Sequence, residues 1–195
     1  MTKVINFFGG PSAGKSTMAA SLFAWMKKKR MNVEYAPEFA KDVVWEKSHD
    51  TLDDQIYLFG EQHHRLYRLL DQVDYIVTDS PLLVSLYYYR NGLKKYYGST
   101  ACNSFHKLAD AFESLVIETI EMYDNINFEV VRGNRAFIQS GRLQNEEQSK
   151  EIDNELRKIL RFNDIPFKTI STLEEVLMHL GFQYDHTTVL SVHRE

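Results

Sequence analysis

Apolar positions along the chain recur with two periods, and their alternation predicts strands and helices taken in turn. Residues 3–8, Lys-Val-Ile-Asn-Phe-Phe, form a short apolar run that stops at Gly9-Gly10-Pro11, as a buried strand does when it enters a tight loop. Residues 15–30 place Ala19, Ala20, Leu22, Phe23 and Met26 at helical spacing and end in Lys27-Lys28-Lys29-Arg30, cations that suit a helix C-terminus. The same reading predicts strands at 32–36, 75–78, 127–131 and 166–170. Helices are predicted at 51–70, 81–89, 104–123, 146–162 and 173–180, with irregular chain at 90–103 and an exposed loop at 132–145. Strand and helix in alternation predict an α/β fold: a mostly parallel sheet of about five strands, helices on both faces, and an active edge at the strand C-termini.

Composition narrows the class. The 195 residues, with no internal repeat or linker, are expected to form one domain over residues 1–195. With 44% hydrophobic and 26% charged residues the chain is neither disordered nor fibrous, and a net charge of −4 disfavours a nucleic-acid binder held by bulk charge. A single cysteine, Cys102, excludes an internal disulfide framework and a Cys-rich metal site, so a reducing, cytoplasmic setting is expected. No stretch approaches the ~18 apolar residues of a membrane helix, and the N-terminus breaks into glycines before a secretory apolar region forms.

The sharpest chemical signal is Gly9-Gly10-Pro11-Ser12-Ala13-Gly14-Lys15-Ser16, followed by Thr17, which matches G-x-x-x-x-G-K-[ST] between a predicted strand and a predicted helix. Glycines let successive backbone N–H groups curl around a phosphate. The helix N-terminus adds positive potential, Lys15 reaches the β and γ phosphates, and Ser16 offers an oxygen to Mg²⁺. A loop of this kind needs a carboxylate at the end of a neighbouring strand, and Asp79, closing the run Tyr75-Ile76-Val77-Thr78, is the candidate. An Asp in that position followed by Ser80-Pro81 can also serve as a helix N-cap, and the two roles can coexist.

FFGGPSAGKST, EYAPEFAKDVVWE, DQIYLFGEQHHRL and VTDSPLLVSLYY together resemble the P-loop kinases related to nicotinamide riboside kinases, whose members are often labelled AAA-type ATPases in phage and bacterial genomes. The likeness runs from residue 3 to about residue 182. It implies a three-layer P-loop NTPase fold with a lid, Mg-ATP as phosphoryl donor, and a small hydroxyl compound as acceptor.

Such a kinase must orient, and usually deprotonate, a hydroxyl in line with the γ phosphate. Glu38, just past the second strand, is the candidate base, with Glu34 as the alternative on the strand and Asp79 as a third. Pro37-Glu38-Phe39 with Trp45 downstream is similar to deoxynucleoside kinases, which implies a Glu base here and an aromatic lining a nucleoside pocket. The same families imply that Gln55, Gln62 and Arg65 on the long helix face the substrate base. Gln55 and Gln62, seven apart, share a helical face, whereas the adjacent His63 and His64 point different ways and make no metal pair. Phe39 and Tyr57 can stack on a base or serve the core.

Arg132, Arg135 and Arg142 fall in the expected lid, 132–145, where arginines arriving on closure would stabilise the charge of phosphoryl transfer. Arg132 and Arg142 match the family's pattern, while apolar Ala136-Phe137-Ile138 departs from it. Tyr87-Tyr88-Tyr89-Arg90 and Lys94-Lys95-Tyr96-Tyr97 interleave rings with cations and no acid, a local patch suited to nucleic acid or simply a wet helix end. The favoured expectation is an Mg-ATP-dependent kinase of a nucleoside-like hydroxyl. The competing ones are a kinase acting on a hydroxymethylated base within DNA and an NTP-binding switch without acceptor.

Overall fold

The computed structural model describes residues 1–97, 103–133, 137–138, 140 and 143–184, with side chains in the helices around residue 100 described only up to 92 and from 107. Five strands, β1 (Lys3–Phe8), β2 (Val33–Ala36), β3 (Tyr75–Thr78), β4 (Asp124–Val130) and β5 (Lys168–Ile170), form one parallel sheet in the order β2-β3-β1-β4-β5. Successive strands run to opposite sides of central β1, so the crevice above its C-terminal end is a switch point, the position where α/β sheets take ligands. β1 pairs with β3 from Lys3↔Tyr75 and with β4 up to Phe8↔Glu129, which brings Asp79 and residue 132 to the same edge as the loop after Phe8.

The two-residue period of β1 builds both cores. Val4 and Phe8 point into a cluster with Phe59 and Leu66 of α3 (Gln55–Tyr67), Leu86 of α4 (Val84–Tyr97), Phe112 and Val116 of α5 (Asn103–Glu121), and Ile159 and Leu160 of α6 (Glu146–Phe162). Ile5 and Phe7 point the other way, against Leu22 and Met26 of α1 (Lys15–Lys28) and Val176 and Leu177 of α7 (Leu173–His179). Helices therefore cover both faces in three layers. No helix among the described residues is long and apolar enough to cross a membrane.

Several element boundaries differ from the sequence reading. The expected 51–70 helix is a 3₁₀ turn (His49–Asp53) followed by α3, separated by Asp54, whose side chain accepts from Tyr57 N–H at 3.0 Å. A short helix not foreseen, α2 (Phe39–Trp45), precedes them. Residues 90–97, read as irregular, continue α4. β4 begins three residues earlier than expected because Asn125 and Asn127, polar in sequence, are paired inside: Asn6 Nδ2 donates to their side-chain oxygens at 2.8 and 3.0 Å. α6 spans the predicted residues. Its Asn145 accepts from Gln148 N–H, and Gln148 accepts from Asn145 N–H, both at 2.9 Å.

Candidate active site

Backbone conformation shapes the loop after β1. Gly9 at φ 145° and Gly14 at φ 103° occupy the region that glycine tolerates best, and Ser12 joins them at φ 64°. Gly14 caps α1 without any side-chain bond, and no acidic residue lies in the first turn. The leading N–H groups of α1 are thus offered outward, the arrangement that binds anions. Lys15 folds back so that Nζ donates to Gly10 O at 3.0 Å.

Carboxylates converge on that ammonium. Burial pulls the Lys15 pKa below its ordinary 10.5, the negative charges of Glu38, Asp79 and Asp153 oppose the shift, and Arg132 adds to it. Glu38 stands at the N-cap of α2, directly after β2 and Pro37. Asp79 is 3% exposed and lies five residues ahead of α4, so it is not that helix's N-cap; the Tyr35 phenol faces its carboxylate, whose Oδ1 is buried with no partner. Desolvation first, then the charge of Asp79, pushes the Tyr35 phenol well above its usual range. The Tyr88 phenol is also raised, by burial and then by the charge of Glu38, so α4 approaches the same carboxylate.

Two residues expected to touch substrate, Gln62 and Arg65, bond to the segment that carries Glu38. Gln62, only 5% exposed, accepts from Phe39 N–H at 2.9 Å and donates to Pro37 O at 3.4 Å. Arg65 donates to Pro37 O at 3.3 Å, pairs with Asp42 and lies 5.1 Å from the centre of the Phe39 ring. Gln55 donates to Leu52 O at 2.6 Å within the preceding turn. Glu34 pairs with Lys27 of α1 at 2.7 Å, its neighbour Tyr35 being the residue that reaches Asp79. Trp45 is 61% exposed at the far end of α2. The fold thus gathers Lys15, Glu38, Asp79 and Arg132, sets Gln62 and Arg65 against the segment that carries Glu38, and places Glu34 against Lys27, Gln55 in the turn before α3 and Trp45 at the end of α2.

Arg132 follows β4 and lies against the loop. It donates through Nη1 to Pro11 O at 3.0 Å, through Nη2 to Ser149 Oγ at 2.7 Å and Asp153 Oδ2 at 2.8 Å, and through Nε to the same oxygen at 3.1 Å. Arg135 and Arg142 lie outside the described residues, as do the side chains of Lys94, Lys95, Tyr96 and Tyr97. Arg90 pairs with Glu113, so its charge is spent within the protein. Sequence reasoning missed Tyr35, Ser149 and Asp153. The last two carry a signal, since with Arg157 they recur every four residues on the side of α6 that also buries Ile152 and Leu156.

The sequence matches the AAA domain family over residues 4–175. No curated protein matches it. Among solved structures the chain is similar to deoxyadenosine kinase from M. mycoides with bound dATP, at TM-score 0.62 and 18% identity over 91% of this chain and 98% of that one. A second structure of that enzyme, with dCMP and a flexible dCDP as products, aligns at TM-score 0.46 and 16% identity over 91% and 97% of the two chains. The three-layer fold, a parallel sheet with helices on both faces, is shared with the first of these. From its phosphate loop and its match over most of its length, the chain belongs to the AAA-domain family of P-loop NTPases, with the three-layer fold of a deoxynucleoside kinase.

Proposed function

We propose that the protein is an Mg-ATP-dependent kinase that transfers the γ-phosphate to a hydroxyl of a nucleoside-like small molecule: a nucleoside, a nucleotide or nicotinamide riboside. The observation that carries this reading is the placement of Glu38 and Asp79 around Lys15 at one sheet edge. A switch that only bound nucleotide would need the lysine and one metal-side carboxylate. Here a second carboxylate is presented at a helix N-cap and braced on both flanks by Gln62 and Arg65.

In this reading the α1 N-terminus and loop N–H groups hold the β-phosphate, Lys15 bridges β and γ oxygens, and Glu38 accepts the acceptor's proton. The acceptor oxygen bonds to the γ phosphorus as the bond to the ADP oxygen breaks, and Arg132 lies beside the loop to offset charge on the transferred group. The residues also fit Mg²⁺. Among the described residues no three His, Cys, Asp or Glu side chains could hold a metal by themselves, whereas Asp79 Oδ1 is a buried acceptor without partner and Ser16 opens α1. Ser16 and Asp79 would hold the ion together with the nucleotide phosphates; when bound it neutralises charge on the β and γ phosphates.

The test is incubation with γ-labelled ATP and a panel of nucleosides, nucleotides, nicotinamide riboside and DNA containing hydroxymethylpyrimidine. Label in a free small molecule is the expected result. Label only in DNA would move the acceptor into a polymer, and ATP binding with no labelled acceptor would leave a nucleotide-binding switch.

A further inference from the structure

Ser149, Asp153 and Arg157 stand at four-residue intervals on α6, and each is engaged inward: Arg157 with Glu129 at the end of β4, the other two with the phosphate loop. Asp153 is central. Its Oδ1 accepts from Gly10 N–H, and its Oδ2 accepts from Nε and Nη2 of Arg132 at 3.1 and 2.8 Å. Ser149 Oγ donates to Pro11 O and accepts from Arg132 Nη2. The approach is so close that a Cβ on Gly10 would lie 2.3 Å from Ser149 O and 3.1 Å from Asp153 Oδ1. The loop and Arg132 are therefore bound to one carboxylate on a helix outside the sequence motif.

A carboxylate beside an anion site is unfavourable for anion binding on its own. Its presence here makes sense if the charge has another task. With Arg132 its charge is balanced, and the guanidinium, otherwise free among many rotamers, is held in one orientation against the loop. We propose that Asp153 is a positioning residue for phosphoryl transfer: by holding Gly10 N–H and the Arg132 guanidinium on one carboxylate, it preassembles loop and arginine as a single phosphate-receiving unit. The turnover consequence rests on the kinase reading above; the binding consequence does not.

This role predicts a split that mere structural support does not. Asp153→Asn keeps an acceptor for Gly10 N–H while removing the charge that orients Arg132. MgATP should bind as tightly as in the wild type or more tightly, since a repelling charge is gone, while kcat falls about 10- to 100-fold from misplacement of the arginine. A double-mutant cycle supplies the second arm: with Arg132→Ala already present, Asp153→Asn should lower kcat by less than about threefold more. Ser149→Ala, which removes the hydroxyl shared by Arg132 and Pro11, should show the same split more weakly. Affinity and melting temperature falling together with kcat in Asp153→Asn and in Ser149→Ala would overturn the proposal, as would additive losses in the cycle. If the wild type binds MgATP but labels no acceptor, the kinase reading fails separately. The cycle is then read on equilibrium binding of a fluorescent ATP analogue, where non-additivity of Arg132→Ala and Asp153→Asn sustains the positioning role and additivity removes it.

Discussion

The Tyr35 phenol of β2 faces the Asp79 carboxylate at the end of β3, and Oδ1 of that carboxylate is buried and open. Parallel pairing of Tyr35 with Val77 and Ala36 with Thr78 carries the phenol to the strand end where the aspartate begins. A hydrogen bond from a phenol to a charged group contributes about 1.5–3 kcal/mol, enough to orient the open oxygen towards a bound ion. Tyr35→Phe should therefore raise the Mg²⁺ concentration needed for half-maximal ATP binding about tenfold while leaving metal-free nucleotide binding nearly unchanged. A Mg²⁺ titration of both proteins checks this, and equal midpoints would show that Tyr35 does not orient Asp79.

Lys15 is held among carboxylates yet has a depressed pKa, because burial outweighs their attraction. Below the folded pKa both folded and unfolded chains carry the proton, and burying the charge costs stability. Between the folded pKa and the ordinary 10.5 the unfolded chain binds more protons, so stability rises with pH in that interval. Lys15→Met should thus be more stable than wild type at pH 7, with the gap narrowing towards pH 10, measured by urea unfolding across that range. The same substitution should lower kcat by about two or more orders of magnitude, because the lost charge acts on the transferring phosphate.

Glu38 and Gln62 separate chemistry from positioning. Glu38→Gln should leave ATP affinity intact and slow transfer to the acceptor about 10²- to 10⁴-fold, the range for loss of a general base. Gln62→Leu deprives Phe39 N–H of its acceptor, at a cost of about 1–3 kcal/mol in stability, and should also slow transfer by loosening the segment that carries Glu38. Thermal melts with parallel turnover assays distinguish them. Unchanged turnover in Glu38→Gln would reassign the base, with Asp79 the nearest remaining carboxylate beside Lys15 and Tyr35.

Gly10 is needed for space and not for backbone freedom. It is absent from the positive-φ glycines, yet an added Cβ would sit 2.3 Å from the Ser149 carbonyl oxygen, a backbone atom that cannot turn aside. Gly10→Ala should force α6 away from the loop, costing about 1–3 kcal/mol as overpacking does, and should weaken ATP binding because Gly10 N–H leaves Asp153. Differential scanning calorimetry with an ATP-binding isotherm tests both halves.

What the sequence determined by itself is local. The phosphate loop is legible because its glycines, lysine and serine act through contiguous backbone and need no distant residue to be recognised. β1 and β3 end where apolar runs end, and α6 begins as predicted because Asn145 and Gln148 cap it from within three residues. The tertiary structure decided which polar residues face one another. Asp153 meets Gly10 across 143 residues of sequence, Gln62 meets Phe39 across 23, and Asn6 meets Asn127 across 121. None of these pairs has a period or spacing to reveal it, since each depends on the strand order that sets β4 beside β1 and on which side of α3 or α6 turns inward. A buried amide or carboxylate has the same letter as a solvated one. Only its surroundings, assembled from remote segments, give it a partner and hence a task.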